Sequence, residues 1–170
     1  MPAGIDADFA AYLAARWPHL VRSLVLIGCP PQEAEDVARS GMARCYREWG
    51  RAKEEDDLDV YVYRTVLDTW RRTARRRKGA ADAPAEPAAT PVPAAEVTDL
   101  VLMRRALEEQ LARLGPEHRE PLVLRFVADL SEVQIAEVLD VAVDTVASRV
   151  TWALTHLDLA AVREMTGGIR

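Results

Sequence analysis

Apolar residues recur every three or four positions along most of the chain, and no sustained alternation typical of a β-strand is present. Residues 7–78 hold three such stripes, separated by Pro30-Pro31 and by the acidic run at 54–57. The stripes comprise Phe9, Leu13, Trp17, Leu20, Leu24 and Ile27; Ala34, Val37, Ala38, Gly41, Cys45 and Trp49; and Val60, Tyr63, Leu67 and Trp70. They predict a domain of three or four helices, with the first helix kinked near Pro18.

Residues 79–98 differ in composition from the chain on either side. They include Pro84, Pro87, Pro91 and Pro93 among eight alanines, a composition that cannot bury a core and is typical of a flexible linker. At polyproline rise this segment would span roughly 60 Å. The sequence therefore predicts two lobes on a loose tether.

A second helical domain is predicted over residues 99–160, where two amphipathic stripes precede the segment 130–150. That segment is typical of two short helices around a tight turn. Ser131 and Gln134 have the spacing of a capping box, and Asp140 stands at the turn, where a short polar side chain tolerates a left-handed conformation. The layout predicts a helix-turn-helix whose second helix enters the DNA major groove. An ordinary helical hairpin is the alternative.

Positive charge is concentrated in one segment, although the net charge of the chain is −5. Residues 69–78 contain no acid and six of the 22 basic residues, namely Arg71, Arg72, Arg75, Arg76, Arg77 and Lys78. Six cations within eight residues are more than the negative end of a helix dipole needs for its compensation. This density therefore favours a nucleic-acid partner over a merely solvated helix end.

The sequence offers no enzymatic or metal chemistry. It lacks a phosphate-binding glycine loop, a paired-carboxylate pattern and a nucleophile motif, and its histidines have no second ligand at metal spacing. Cys29 and Cys45 are predicted to be small buried side chains. We expect no catalytic residue, no metal and no cofactor. Without an export signal or a membrane-length apolar run, the sequence predicts a cytoplasmic protein with no membrane contact.

Four segments together resemble the bacterial RNA polymerase sigma factors of the extracytoplasmic-function type, in particular the compact sigma-E-like group of actinobacteria. Residues 9–18 are similar to the opening helix of that group, and residues 34–46 to its polymerase-binding helix. Residues 59–72 are similar to its −10-reading helix, and residues 114–149 to its −35-reading domain. The resemblance covers nearly the whole chain.

The resemblance implies an all-α fold of two small domains. Residues 7–78 would be a sigma region 2-like domain for core polymerase and the −10 element, and residues 99–160 a region 4-like domain for the −35 element. The implied function is that of a sigma factor, not an enzyme, which directs RNA polymerase to specific promoters and initiates transcription. The implied partners are RNA polymerase core and promoter DNA, with an anti-sigma factor or a partner activator as a further candidate.

Residue by residue, the resemblance gives three candidate surfaces. The −10 surface comprises Tyr63, Asp68, Trp70, Arg71, Arg72, Arg75, Arg76, Arg77 and Lys78. The −35 surface comprises Thr145, Ser148, Arg149, Thr151 and Trp152. The polymerase surface comprises Asp36, Val37, Arg39, Ser40 and Met42. The aromatic rings of Tyr63 and Trp70 would stack on unpaired bases, although both lie on an apolar stripe and core packing is the alternative.

The chain departs from the family at its working surfaces. Arg39-Ser40 stands where the family usually has Gln-Glu, and Asp68 stands where it usually has Asn, so a hydrogen-bond donor is replaced by a group that repels phosphate. Ala142 replaces the usual serine N-cap of the recognition helix, which costs ~1 kcal/mol of helix stability. The candidate polymerase and −10 surfaces therefore carry a different charge from that usual in the family.

The recognition helix also loses cations, because Ala147 and Trp152 stand where lysine or arginine is frequent and Arg149 alone remains. Trp152 fits two interpretations, an outward anchor for a protein or a ring packed back onto the preceding helices. These departures motivate a second hypothesis, a diverged sigma-like regulator that acts mainly through protein contacts with polymerase or another regulator.

Overall fold

A computed structural model describes residues 3–55, 57–80, 99–158 and 160. The helices within these residues are α1 (Ala3–Ile27), α2 (Pro31–Arg47), α3 (Trp49–Ala52), α4 (Leu58–Ala80), α5 (Asp99–Ala112), α6 (Pro116–Phe126), α7 (Glu132–Leu139) and α8 (Val143–His156). The described residues contain no strand, which confirms the all-α class. None of these helices is both long and apolar enough to cross a bilayer.

The N-terminal lobe consists of α1–α4, and its boundaries follow from local sequence. α1 runs through Pro18 without ending and stops at Gly28, whose φ of 119° is accessible to glycine. The amides of Gly28 and Cys29 donate to the carbonyls of Val25 and Leu24 at 3.0 and 2.9 Å, which is the Schellman pattern. Pro31 then opens α2 at a position where its missing N–H is not needed.

The core of the N-terminal lobe lies between α1, α2 and α4. Leu24, Trp49 and Leu67 are almost completely buried there, and α2 packs closely along α4. Cys29 and Cys45 are buried free thiols, which confirms their interpretation as small core side chains.

The C-terminal lobe consists of α5–α8, with α8 packed against α6 and α7. Leu124, Ile135 and Val146 are fully buried where these three helices meet. The helix-turn-helix pair α7–α8 therefore packs on α6 with one side, and the opposite side of α8 is exposed.

The two lobes are in contact. α7 packs on α4, and α5 and α6 pack on α1. The buried apolar residues of both lobes form one continuous cluster. The contact between the lobes therefore removes apolar surface of both from water, which stabilises it. The proposed linker lies outside the described residues except for Gly79 and Ala80, which continue α4. The exact domain boundaries stay a prediction.

Candidate nucleic-acid interface

The basic cluster forms the C-terminal third of α4. Arg72, Arg75 and Arg76 are exposed, and their i, i+3, i+4 spacing places them on neighbouring positions of the helix surface. Among the described residues none of them has an ion-pair partner, and the same holds for exposed Lys78. Their charges are therefore available to a polyanion.

Two other arginines of the cluster are engaged with acids of the chain itself. Arg71 Nη2 lies 2.7 Å from Glu120 Oε2 on α6, and Arg71 Nη1 lies 3.8 Å from Asp68 Oδ1. Arg77 Nη1 lies 3.2 Å from Glu33 Oε1 near the start of α2. The predicted cluster is thus divided into cations without an ion pair among the described residues and cations that already bind an acid of the chain.

The aromatic side chains of α4 differ in accessibility. Tyr63 is only 1% exposed, and the prediction that a base stacks on it is wrong because position 63 lies on the buried face of the helix. Burial also raises the pKa of its phenol. Trp70 is partly buried against the same core, so only part of its ring is accessible. Asp68 is partly exposed beside Arg71.

On α2, the candidate polymerase surface is reduced to the residues that point outward. Asp36, Arg39 and Ser40 are exposed, whereas Val37 and Met42 are 3% and 2% exposed. A polymerase contact through Val37 or Met42 is therefore corrected to core packing, because both lie on the helix face that packs in the core.

The exposed side chains of this surface are held in place by one another. Arg39 donates to Asp36 Oδ1 at 3.0 Å and to Glu35 Oε2 at 3.3 Å. Its guanidinium also lies 6.0 Å from the ring centroid of Trp17 on α1, within the range of a cation–π contact. The arginine that distinguishes this helix from the family pattern thus sits among acids on a mixed-charge surface.

The helix-turn-helix has the local chemistry that the sequence predicts. Ser131 Oγ accepts from the Gln134 amide at 3.2 Å, while Gln134 Oε1 accepts from the Ser131 amide at 2.8 Å. Asp140 ends α7 in the left-handed conformation, with φ of 55°. α8 begins after Ala142 with no side-chain cap. The capping box, the left-handed turn and the missing cap are confirmed.

The outer surface of α8 carries hydroxyl groups and little charge. Ser148 and Thr151 are exposed, and Thr145 and Arg149 are partly exposed. Ser148 Oγ donates to the Thr145 carbonyl at 3.0 Å, so its oxygen still has lone pairs free for a base or phosphate donor. Arg149 forms no ion pair with a described residue, so its guanidinium is free to bind a base edge or a phosphate.

Trp152 packs back onto the preceding helices, which is one of its two predicted arrangements, and the role of a protein anchor stays a prediction. Its ring stacks between His118 of α6, at a centroid distance of 3.9 Å, and His156 of α8, at 3.7 Å. The residue as a whole is still 41% exposed. The side chain therefore packs back onto α6 and also presents an aromatic edge at the outer surface.

Sequence reasoning missed the residues that join the lobes. Glu120 reaches Arg71, and Gln134 Nε2 donates to Asp57 Oδ2 at 2.8 Å. Sequence reasoning also missed His118, which stacks on Trp152 within the C-terminal lobe. No short-range pattern marks these pairs, since their partners lie far apart along the chain. No cluster of three or more potential metal ligands occurs among the described residues.

The C-terminal part of the chain matches the family model described as Sigma-70, region 4, over residues 104–157. That span contains α6, α7, α8 and most of α5. The RNA polymerase sigma-E factor of Streptomyces coelicolor is 28% identical over 150 residues, which cover 88% of this chain and 84% of that protein. The protein of the same name from Streptomyces avermitilis is 28% identical over 160 residues, 92% and 87% of the two chains.

A solved structure shares the fold of both lobes. The sigma factor RpoE, in complex with the anti-sigma factor NepR from Bartonella quintana, superimposes with a TM-score of 0.72 at 18% sequence identity. The match covers 96% of this chain and 99% of that chain. The likeness therefore extends over the N-terminal lobe as well as the helix-turn-helix domain.

Proposed function

Because the chain is a sigma factor of the extracytoplasmic-function type, we propose that it binds RNA polymerase core and directs it to a specific set of promoters. The observation that carries the proposal is the exposed row of arginines on α4, in a chain whose fold and sequence match sigma factors along nearly their whole length. The relatives reported above are named sigma factors, which gives no support to the alternative of a diverged regulator that acts mainly through protein contacts.

The N-terminal lobe is assigned to the −10 element. Arg72, Arg75, Arg76 and Lys78 are exposed cations on one helix, and such a row pairs with successive phosphates of a DNA strand. The exposed part of the Trp70 ring is then the aromatic surface nearest to them in sequence, in a position to stack on an unpaired base.

The polymerase surface is assigned to the outward face of α2. Asp36, Arg39 and Ser40 form it, and the neighbouring acid Glu35 holds Arg39 in place. A contact to polymerase through these residues would be polar, since the apolar side chains of α2 are used in the core.

The C-terminal lobe is assigned to the −35 element. Thr145, Ser148, Arg149 and Thr151 lie on the accessible part of the recognition helix, the part of a helix-turn-helix that enters the major groove. With one cation on this helix, the recognition of duplex DNA rests on hydrogen bonds and methyl contacts more than on charge.

An anti-sigma protein is a further proposed partner, on the basis that the structurally similar RpoE is bound by NepR. We place the protein in the cytoplasm, where RNA polymerase works. Catalysis would remain with the polymerase, since sigma factors in general contribute promoter binding rather than chemistry.

Run-off transcription tests the proposal. Purified core polymerase with this chain should give promoter-directed product from a library of genomic fragments, and core alone should give none. The triple variant Arg72→Ala/Arg75→Ala/Arg76→Ala should still bind core but lose most of the product. If no fragment yields a product that depends on the wild-type chain, the proposed function is wrong.

A further inference from the structure

A cavity of about 690 Å³ is lined mainly by α1 and α5, and none of the residues assigned above to polymerase or DNA lines it. Its volume is within the range of about 300–1,000 Å³ that is usual for small-molecule sites. Nine of the twelve lining residues are apolar, and the other three are Arg22, Arg104 and Glu108. We propose that the cavity binds a single-chain amphiphile that carries one negative charge, such as a free fatty acid.

The walls of the cavity suit an alkyl chain. Both helices contribute half-buried apolar side chains at the spacing of one helical turn, namely Trp17, Val21 and Val25 on α1 and Met103 and Leu107 on α5. From position 17 to position 25 this row is about 12 Å long at the helical rise, which roughly matches an extended chain of ten carbons. The thioether of a methionine adapts its shape to a ligand. Burial of a chain against these walls would remove apolar surface of both from water.

The charged residues of the lining leave one cation for a ligand. Arg104 Nε lies 3.3 Å from Glu108 Oε1, so these two side chains neutralise each other. Arg22 is exposed and forms no ion pair with a described residue. A guanidinium binds a carboxylate through two parallel hydrogen bonds. Pro31, the first residue of α2, also lines the cavity, so the positive end of that helix dipole lies at its edge. A chain with one anionic head group therefore complements both the walls and the charge.

A second, smaller groove on the C-terminal lobe lacks this charge. It holds about 180 Å³ and is lined by apolar side chains alone, among them Leu111, Leu122 and Leu154. No group there would orient a ligand, because the attraction between apolar surfaces has no direction. The larger cavity has the few placed polar groups that fix the orientation of a ligand in small-molecule sites.

Residues of both lobes form the cavity. α1 belongs to the N-terminal lobe, whereas α5 and Val127, which follows α6, belong to the C-terminal lobe. His19 Nδ1 lies 3.0 Å from the carbonyl oxygen of Val127, which joins the two sides next to the lining residue Pro18. A ligand that binds only the folded chain raises its thermal stability by mass action. The inference goes beyond the proposed function and does not depend on DNA binding, so each can fail without the other.

The test titrates the full chain with decanoate, at concentrations at which decanoate forms no micelles, and measures binding by isothermal titration calorimetry. We expect one molecule per chain, with a dissociation constant on the order of 100 µM. Octanoate, which is two methylenes shorter, should bind roughly tenfold more weakly. Decan-1-ol, which lacks the charge, should bind about fivefold more weakly than decanoate.

Substitution of the unpaired arginine tests the head-group contact. Arg22→Gln should weaken the binding of decanoate about fivefold and leave that of decan-1-ol unchanged, because only the anion uses the guanidinium. The matched control is Arg105→Gln, since Arg105 is an exposed arginine of α5 that does not line the cavity. This control should bind both ligands as the wild type does.

Two further variants test the place of binding. Val21→Trp and Leu107→Trp fill the cavity from the α1 side and from the α5 side, and each should abolish measurable binding of decanoate. Unchanged far-UV circular dichroism verifies that a variant is folded. The inference is overturned if the wild type shows no saturable binding, or if a folded, filled variant binds decanoate as tightly as the wild type. An equal loss of affinity for the acid and the alcohol in Arg22→Gln would also overturn it.

Discussion

Gly41 of α2 and Val66 of α4 are so close that a Cβ at position 41 would lie 2.8 Å from Val66 Cγ2 and 3.0 Å from Val66 Cα. Val66 is β-branched, and its χ1 rotamer is strongly restricted in a helix. The absence of a side chain at position 41 therefore sets how closely the candidate polymerase helix approaches the candidate −10 helix.

We expect Gly41→Ala to lower the free energy of unfolding by about 1–3 kcal/mol, the usual effect of overpacking, although alanine has the higher helix propensity. Urea denaturation measures it. Gly79→Ala is the matched control, since a Cβ there would meet nothing within 4 Å, and it should leave stability unchanged or raise it by up to about 1 kcal/mol. Equal effects of the two changes would contradict this account of the α2–α4 contact.

The exposed arginines should control the salt dependence of DNA binding. Arg75→Ala/Arg76→Ala removes two phosphate contacts, so the slope of log affinity against log salt for a single strand should become shallower by about 1.4. The comparison is Arg104→Ala/Arg105→Ala, which removes the same two charges from exposed positions of α5 and should leave the slope unchanged. A slope that is the same for both double variants would mean that α4 does not bind the strand.

Local chemistry made the helix-turn-helix predictable from sequence. The Ser131–Gln134 box and the left-handed Asp140 depend on residues within a few positions of one another, and the helices follow a period that needs no tertiary information. The buried state of Tyr63 also follows from its stripe. The error was to assign it a DNA contact because of its residue type.

The contacts between lobes were not predictable in the same way. Arg71–Glu120 and Asp57–Gln134 join residues 49 and 77 positions apart, and nothing in the local pattern pairs them. The same limit applies to α2, where Val37 and Met42 resemble the family pattern but lie in the core. Resemblance places a residue on the correct helix, whereas packing decides which side of the helix it occupies.

Cys45 should make stability depend on pH in the alkaline range. Burial raises the pKa of its thiol from 9.0 to about 11, so the protonated form is favoured in the folded state. This contribution is fully present below the unfolded pKa of 9.0 and is lost as pH rises towards 11. Two pKa units correspond to about 2–3 kcal/mol.

The measurement is the free energy of unfolding of the wild-type chain and of Cys45→Ala between pH 8 and pH 11, across the window set by this pKa. The wild-type advantage should shrink as pH rises, because only the wild type has this thiol to ionise. Parallel curves over the whole range would show that the thiol does not titrate as its burial implies.

Trp152 should contribute to stability through its two imidazole neighbours. Trp152→Ala removes both stacked contacts, and we expect a loss of about 1–3 kcal/mol in the free energy of unfolding. Leu154→Ala is the control, because Leu154 on the same helix is 43% exposed against 41% for Trp152 and has no ring contact. Trp152→Phe should retain part of the stacking. Losses of equal size at positions 152 and 154 would show that the stacking of Trp152 between the two imidazoles does not add to stability.

The two helices of the DNA-reading motif differ at their N-caps, and this difference is open to a reciprocal test. Ser131 caps α7 with its side chain, whereas Ala142 has the extended backbone of an N-cap, φ −69° and ψ 150°, but no group to bond the free amides of α8. Ser131→Ala should lower the free energy of unfolding by about 1 kcal/mol, and Ala142→Ser should raise it by about the same amount. Thermal denaturation followed by circular dichroism measures both. Because a serine at position 142 would order the end of α8 that the proposed function places against DNA, Ala142→Ser should also strengthen binding to the −35 duplex. A destabilised Ala142→Ser chain would show that another group already satisfies these amides.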